Sequence, residues 1–142
     1  MDRRDRFKTL KSPKAFLFMD DNTTTFSEIK DMIRKFVSER DWEKFHNPKD
    51  ITLALSIEVG EILEHFRFLT NEEIEEYLKN GNNKKEVGYE ISDCLYFLTR
   101  LADICGIDMS KALKEKMEIA ATKYPADKVK GKPYKYDYYQ TK

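Results

Sequence analysis

The sequence lacks the features that define several large classes of protein. No apolar run approaches the roughly 20 residues that a membrane span needs, and no apolar segment follows the basic residues 1–6 as it would in a secretory signal. Lys and Arg total 26, and so do Asp and Glu, which leaves no net charge to attract nucleic acid or an anionic membrane. These absences predict a protein that binds neither.

Cysteine is also scarce, with only Cys94 and Cys105 in the chain. On one straight helix these two would lie about 16 Å apart along the axis, which is too far for a disulfide. Neither has a second cysteine at the short spacing typical of a zinc site. Reduced thiols are therefore expected, as in a cytoplasmic protein.

What the sequence does contain is a repeated helical pattern in a chain long enough for one domain. Of its 142 residues 40% are hydrophobic and 37% charged, so it can bury a core of its own. Apolar residues recur at helical spacing, and no segment is typical of a strand. We predict an all-α fold of four main antiparallel helices plus one short helix, with residues 1–22 as an N-terminal extension, 23–125 as the domain and 126–142 as a tail.

Capping residues predict where the helices begin. Hydroxyl, amide and carboxylate side chains suited to this role stand at Thr25, Asn47, Thr70 and Asp108. They predict helices over about residues 25–41, 47–69, 70–79 and 108–123. Residues 80–83 are a turn signal, so the fourth helix is predicted from about Lys84 to Cys105, with Gly106 at its end.

Two acidic pairs stand out because they interrupt the most apolar helices. The second predicted helix is apolar nearly all round, which is typical of a buried helix, yet it contains Glu58 and Glu61. The fourth contains Glu90 and Asp93. Residues three apart lie on one face of a helix, and carboxylates are rarely buried unless they are paired or bind a metal.

Four carboxylates in one place need a cation to offset their repulsion, and oxygen ligands favour Mg²⁺, Mn²⁺ or Ca²⁺. A di-iron site is disfavoured because it uses Glu-x-x-His on two helices, and the residues three before His46 and His65 are Glu43 and Ile62. Mg²⁺ commonly also binds substrate phosphates. The pattern therefore indicates phosphoryl or nucleotidyl hydrolysis, with no Gly-rich loop to bind the phosphates.

With their flanks, these pairs resemble the MazG-type all-α nucleoside triphosphate pyrophosphohydrolases, most nearly the dCTP pyrophosphatase branch. The family pattern E-x-x-E, spacer, E-x-x-D is met by Glu58, Glu61, Glu90 and Asp93. The resemblance covers about residues 26–125. It includes segment 40–46 before the first pair, and 116–119 and 123–125 after the second.

The resemblance implies an enzyme that uses Mg²⁺ or Mn²⁺ to cleave a nucleoside triphosphate between the α and β phosphates. The metal ligands implied are Glu58, Glu61, Glu90 and Asp93, and Glu61 is also expected to orient the attacking water. Lys116 and Lys123 would meet the phosphates as point charges. The other residues implied at the substrate are Trp42, His46, Phe68 and Tyr124.

Two positions depart from the related sequences and leave the substrate open among dCTP-like and modified nucleotides. Ala120 replaces a frequent Asn, and Phe97 replaces the Tyr of the dCTP branch. The resemblance implies a homodimer or homotetramer in which neighbouring subunits complete the bundle and the sites. The expected role is housecleaning of the nucleotide pool. The alternative, based on the charged surface and two basic tails, is a non-catalytic helical module that senses nucleotides or binds a protein.

Overall fold

The structure, a computed structural model, describes residues 19–133 and 135 of the chain. Helices make up all the regular secondary structure of that range, and no strand occurs within it. The prediction of an all-α fold is confirmed. The elements are α1 (Phe26–Ser38), a 3₁₀ turn (Glu43–Phe45), α2 (Pro48–Phe66), α3 (Asn71–Lys79), α4 (Gly81–Ile104), α5 (Met109–Lys123) and α6 (Ala126–Val129).

The four main helices of the prediction correspond to α1, α2, α4 and α5, and the short one to α3. The single turn α6 was not predicted and lies in the segment assigned to the tail. Residues 1–18 of the predicted extension, and residues 134 and 136–142 of the predicted tail, lie outside the described part of the chain.

Side-chain caps open four of these helices as the sequence predicted. Thr25 and Thr70 each form a complete capping box with the Glu three residues later, at α1 and α3. Asn47 Oδ1 accepts from the amide of Asp50 at 2.9 Å, ahead of Pro48 in the first turn of α2. Asp108 Oδ1 accepts from the amide of Lys111 at 2.9 Å at the start of α5. Each cap satisfies an amide that has no partner within the helix.

The predicted turn at residues 80–83 is wrong, because α4 begins at Gly81 rather than near Lys84. Asn80 ends α3 and caps α4, accepting from the amides of Asn82 and Asn83 at 3.0 and 3.3 Å. The Asn and Gly residues that suggested a loop instead form a helix N-terminus, where Asn is a preferred cap. The predicted ends of α1 and α2 were also two or three residues too late, at Ser38 and Phe66 in the structure.

The packing of α2 along α4 is the main helix–helix contact, and α1 and α3 pack on α4 less extensively. The two long helices run antiparallel. His46, at the start of α2, meets Arg100 near the end of α4, while Glu58 further along α2 meets Glu90 nearer the start of α4. The buried core is small and lies between α1, α2 and α4. Its apolar members are Ile33, Val37, Ile51, Val87 and Ala102.

The prediction that α2 is buried all round is wrong for the single chain. Only Ile51 of this helix is buried. The other side remains exposed, because α4 covers one face of α2 and no other described helix packs extensively against it. Leu53, Ile57, Val59 and Leu63 are each more than half exposed.

Exposed apolar side chains continue on α4 and α5. Ile91 and Leu95 of α4, and Leu113 and Met117 of α5, are all exposed. No described helix is both long and apolar enough to cross a membrane. Cys94 and Cys105 form no disulfide with each other, as predicted.

The turn after α1 contains a residue in the left-handed region of backbone space. Asp41 has a φ of 52°, and the amides of Asp41 and Trp42 donate to the carbonyls of Ser38 and Val37 at 3.0 and 3.1 Å. This is the Schellman pattern, which usually has Gly at the left-handed position. Gly106 occupies that position after α4, as the sequence predicted. The backbone conformation of Asp41 therefore sets the direction of the chain as it continues to Trp42.

We expect Asp41→Val to lower the free energy of unfolding by about 1–2 kcal/mol, because a Cβ is disfavoured in the left-handed region and a branched one more so. Asp41→Gly should retain or raise stability, since Gly adopts positive φ without a steric cost. Urea unfolding followed by circular dichroism measures both changes.

The control is Lys44→Met, which removes the ion pair between Lys44 and Asp41 and leaves the backbone as it is. Exposed pairs of this kind contribute about 0–1 kcal/mol, so its loss should be the smaller one. An equal loss in Lys44→Met and Asp41→Val would assign the effect to the ion pair and contradict the backbone explanation.

Candidate functional site

Three of the four predicted carboxylates meet where α2 crosses α4. Glu58, Glu90 and Asp93 each place one carboxylate oxygen within 4.8 Å of the others. The spacing of three residues puts Glu90 and Asp93 on one face of α4, and the antiparallel packing brings Glu58 of α2 opposite them. Glu58 and Glu90 are half-buried and Asp93 is exposed, so the group opens to solvent on one side.

The charge of this group acts on Cys94, which follows Asp93 in α4. The pKa of the Cys94 thiol is raised, first by its burial and then by the negative charges of Glu58, Asp93 and Glu90. Both effects disfavour a thiolate. Cys94 is therefore a protonated, unreactive thiol beside the carboxylates rather than a ligand or a nucleophile.

The donor atoms of the group suit a hard cation. Within the described residues, no other cluster of three or more His, Cys, Asp or Glu is arranged to hold a metal ion, and this one contains carboxylates alone. Carboxylate oxygens favour Mg²⁺, Mn²⁺ or Ca²⁺ over the metals that select imidazole or thiolate ligands. The cluster can therefore bind a divalent cation, and a histidine-containing di-iron centre is not formed by these residues.

Glu61 lies outside the three-carboxylate group, one turn further along α2. It lines a groove between α2 and α3 with a volume of about 460 Å³, and Glu90 lines the same groove. Glu90 thus belongs both to the cluster and to the groove wall, which places Glu61 beside the cluster. The remaining wall consists of Glu64, His65, Phe68, Leu69 and Tyr77.

Phe68, expected at the substrate, lies in the wall of this groove and is 81% exposed. The guanidinium of Arg67 covers its ring, with Cζ 4.4 Å from the ring centroid. Nearby, His65 Nδ1 and the Tyr77 hydroxyl are 2.8 Å apart and share a hydrogen bond. Sequence reasoning missed this pair, because its members lie on different helices and nothing in their spacing links them.

Trp42 and His46 lie before the N-terminus of α2, whose first residue, Pro48, is about 15 Å from Glu58 along the axis at 1.5 Å per residue. Trp42 contacts Phe36 edge to face, with ring centroids 5.8 Å apart, and remains 41% exposed. His46 Nδ1 accepts a hydrogen bond from Arg100 Nε at 3.1 Å. The pKa of His46 is lowered, first by burial and then by the charge of Arg100, with Glu43 opposing.

Arg100 belongs to a charge network that sequence reasoning also missed. It is 9% exposed, and its Nη1 donates to Asp103 Oδ2 at 3.2 Å. Arg34 of α1 donates from Nε to the same carboxylate at 2.9 Å. The Arg34 hydrogen bond is the main reason that the pKa of Asp103 is lowered. The i, i+3 spacing of Arg100 and Asp103 was the available signal.

Lys116, Lys123 and Tyr124 lie along α5 and just after it, and all three are exposed. Lys116 has no hydrogen bond or ion pair in the described part of the chain. α5 has no extensive contact with the other described helices. The expected roles of these three residues at a substrate therefore stay predictions, as do the ligand roles of the carboxylates.

We expect Glu90→Gln to weaken Mn²⁺ binding about tenfold or more, because it removes one charge from a three-carboxylate group. Titration calorimetry and the electron paramagnetic resonance of free Mn²⁺ measure this affinity. Glu86→Gln, one turn earlier on an exposed part of α4, is the matched control and should change it little. Equal affinities in the two variants would contradict a cation site at this cluster.

Comparisons with known proteins show which family the chain belongs to. The model of the MazG-like family matches residues 53–137. The chain is 34% identical over 125 residues to human (Homo sapiens) dCTP pyrophosphatase 1, covering 88% of this chain and 72% of that protein. It is 35% identical over 112 residues to the Bos taurus protein of the same name, covering 79% and 66%.

Among solved structures, a pyrophosphatase from Archaeoglobus fulgidus superposes with a TM-score of 0.67 at 37% sequence identity, over 76% of this chain and 99% of that one. The fold, the acidic cluster and these similarities lead to one conclusion: the chain belongs to the MazG-like family.

Proposed function

We propose that this protein is a nucleoside triphosphate pyrophosphohydrolase that depends on Mg²⁺ and releases a nucleoside monophosphate and pyrophosphate. The observation that carries the proposal is the group of Glu58, Glu90 and Asp93 beside the groove lined by Glu61. Membership of the MazG-like family supports it, as does 34% identity to a dCTP pyrophosphatase.

In this proposal Glu58, Glu61, Glu90 and Asp93 hold Mg²⁺, or Mn²⁺ in its place. A bound divalent cation supplies Lewis-acid polarisation of the phosphate and helps water to act as a nucleophile. The carboxylates would hold the cation where α2 crosses α4. Without a cation, their negative charge would repel the triphosphate.

Glu61 has the second role of orienting the attacking water and accepting its proton. It is half-buried and lies outside the three-carboxylate group. Its position in the groove wall beside Glu90 suits a carboxylate that meets a substrate as well as the cation. A general base must lie within hydrogen-bond reach of the proton that it removes, and the groove gives water access to Glu61.

The aromatic residues expected at the base cannot all belong to one site within one chain. Trp42 precedes α2 and Phe68 follows it, and the 19 residues of α2 span about 28 Å. A nucleobase is far shorter than that helix. If both residues contact the same nucleotide, with His46 beside Trp42, they must come from two copies of the chain.

We therefore propose a homodimer or homotetramer in which each site takes residues from two subunits. The exposed apolar side chains of α2, α4 and α5 support it, because their burial against a second copy would remove apolar surface from water. The loosely packed α5 would then deliver Lys116, Lys123 and Tyr124 to a substrate held between subunits.

The substrate class proposed is dCTP-like or modified deoxynucleotides and ribonucleotides, with the protein acting as a housecleaning enzyme in the cytoplasm. Its relatives named dCTP pyrophosphatase 1 support the pyrimidine preference, and the unpaired thiols suit a reducing compartment. By its resemblance to the dCTP branch, Phe68 stands where Trp is frequent, and its ring offers a smaller stacking face. Phe97 lacks the hydroxyl of Tyr and packs on Tyr96 with ring centroids 5.0 Å apart.

Purified protein should release pyrophosphate from at least one member of a panel of dNTPs, NTPs and modified nucleotides in the presence of Mg²⁺. Glu61→Gln should lower kcat by about 10²- to 10⁴-fold, the usual contribution of general acid–base catalysis, with its helical circular dichroism unchanged. Glu64→Gln is the matched control, since Glu64 lines the same groove but pairs with Arg67.

Absence of pyrophosphate from the whole panel at high enzyme concentration would refute the activity and favour a non-catalytic nucleotide-binding module. Near-normal turnover in Glu61→Gln would refute only the role of that carboxylate.

Complementation tests the shared site. Trp42→Ala and Phe68→Ala should each lose activity alone, whereas co-expression of the two variants should restore about a quarter of it in a dimer. Random pairing makes half of the dimers mixed, and one of the two sites in each mixed dimer has both aromatic residues. No recovery in mixed dimers, purified by giving each variant a different affinity tag, would mean that Trp42 and Phe68 do not share a site.

A further inference from the structure

The contact between Arg100 and His46 determines the protonation state of the histidine as well as the positions of the two side chains. Arg100 Nε lies 3.1 Å from His46 Nδ1. A guanidinium stays protonated and only donates hydrogen bonds, so Nδ1 must be the acceptor. An imidazole that accepts at Nδ1 is neutral and has its proton on Nε2. The geometry of this one contact therefore selects both the charge and the tautomer of His46.

The guanidinium is itself held in place from its other side. Arg100 Nη1 donates to Asp103 at 3.2 Å, and Arg34 of α1 donates to the same carboxylate. Arg100 and Asp103 are each about 10% exposed in their side chains. A buried charge with a fixed partner cannot easily turn away, so Nε keeps facing His46.

We propose that Arg100 is a positioning residue that keeps His46 a neutral imidazole with its proton on Nε2, so that His46 offers the nucleotide a hydrogen-bond donor and no positive charge. The group that it selects is an uncharged acceptor, such as a carbonyl oxygen on the edge of a nucleobase. The identity of this ligand rests on the proposed function, whereas the state of His46 does not.

The surroundings of His46 support this assignment. Its pKa is lowered by burial and by Arg100, against the smaller opposing effect of Glu43 from the 3₁₀ turn. Near pH 7 the ring is thus neutral without any ligand. Trp42, which begins the same short turn and exposes part of its indole, supplies a surface for a base to stack on. One segment of five residues, from Trp42 to His46, then provides both a stacking face and a donor for the edge of the base.

A fixed donor discriminates more sharply than an adaptable one. A neutral histidine free to change tautomer can donate to a carbonyl or accept from an amine, whereas one with Nδ1 already occupied can only donate. A ligand that presents an amine to Nε2 places its N–H donor against the N–H donor of His46. Neither donor then has an acceptor, and unpaired buried polar groups are costly. Arg100 would therefore contribute to specificity without touching the substrate.

The direct test is nitrogen NMR of the full-length protein labelled with ¹⁵N-histidine. The chain has only two histidines, and His65→Gln assigns their signals. We expect His46 to show an unprotonated Nδ1 and a protonated Nε2, and to titrate below the ordinary histidine range. In Arg100→Met its pKa should rise and the two tautomers should become mixed.

Arg34→Met is the matched control, because it removes the other guanidinium from Asp103 but not the contact with His46. It should leave the His46 tautomer as in the wild type. A protonated Nδ1 in the wild type, an unchanged tautomer in Arg100→Met, or the same change in both variants would each overturn the proposal. Where Arg100→Met fails to fold, Arg100→Lys serves, since an ammonium lacks the fixed Nε–H geometry and should also mix the tautomers.

Steady-state kinetics provide a second measurement, which would not change in this way if Arg100 had a purely structural role. On the substrate found by the panel, Arg100→Met should raise KM about threefold to tenfold, the usual value of one hydrogen bond, with little change in kcat. The acid limb of kcat/KM should move to higher pH, because His46 then protonates sooner. A fall in kcat at constant KM would refute a binding role. Failure of the whole panel refutes the proposed activity and leaves the NMR result to decide the state of His46.

Discussion

The antiparallel packing of α2 on α4 is the constraint on which the rest of the structure depends. One register between these helices brings Glu58 to Glu90 and Asp93, and the same register brings His46 to Arg100 near the far end. A shift of one residue along a helix turns a side chain by about 100° and would separate both sets. The charged cluster and the neutral histidine are thus two consequences of a single interface.

Much of this was predictable from the sequence, where the chemistry is local. The caps at Thr25, Asn47 and Thr70 were predicted because a cap and its amides lie within three residues of each other. The acidic pairs were predicted to share a face because three residues fix their angle on a helix. A shared acidic site was predicted because both helices that contain the pairs are apolar, and three of the four carboxylates, all but Glu61, form one group. Family resemblance predicted the same carboxylates.

The sequence could not predict contacts that depend on which helix covers which face. Periodicity shows that α2 has apolar residues all round, but only the structure shows that α4 covers one side and leaves Leu53 and Ile57 exposed. Arg100 and His46 are 54 residues apart, so their contact exists only once the register is set. The Asn residues near position 80 suit either a turn or a helix cap. The structure shows the cap, because α4 begins directly after Asn80.

The middle of α2 and the segment before its N-terminus differ in electrostatic character, and in the proposed function this difference separates affinity from specificity. At Glu58 three carboxylates come together and gain most from a cation and the phosphates that accompany it. At His46 the charges of Arg100 and Asp103 are already paired, which leaves a neutral donor and the exposed ring of Trp42. Triphosphates are common to all nucleotides, so a cation held by the carboxylate cluster would not distinguish one base from another. In the proposed function, selection among bases therefore falls to the neutral donor of His46 and the ring of Trp42, where an amine facing His46 Nε2 would leave two donors unpaired.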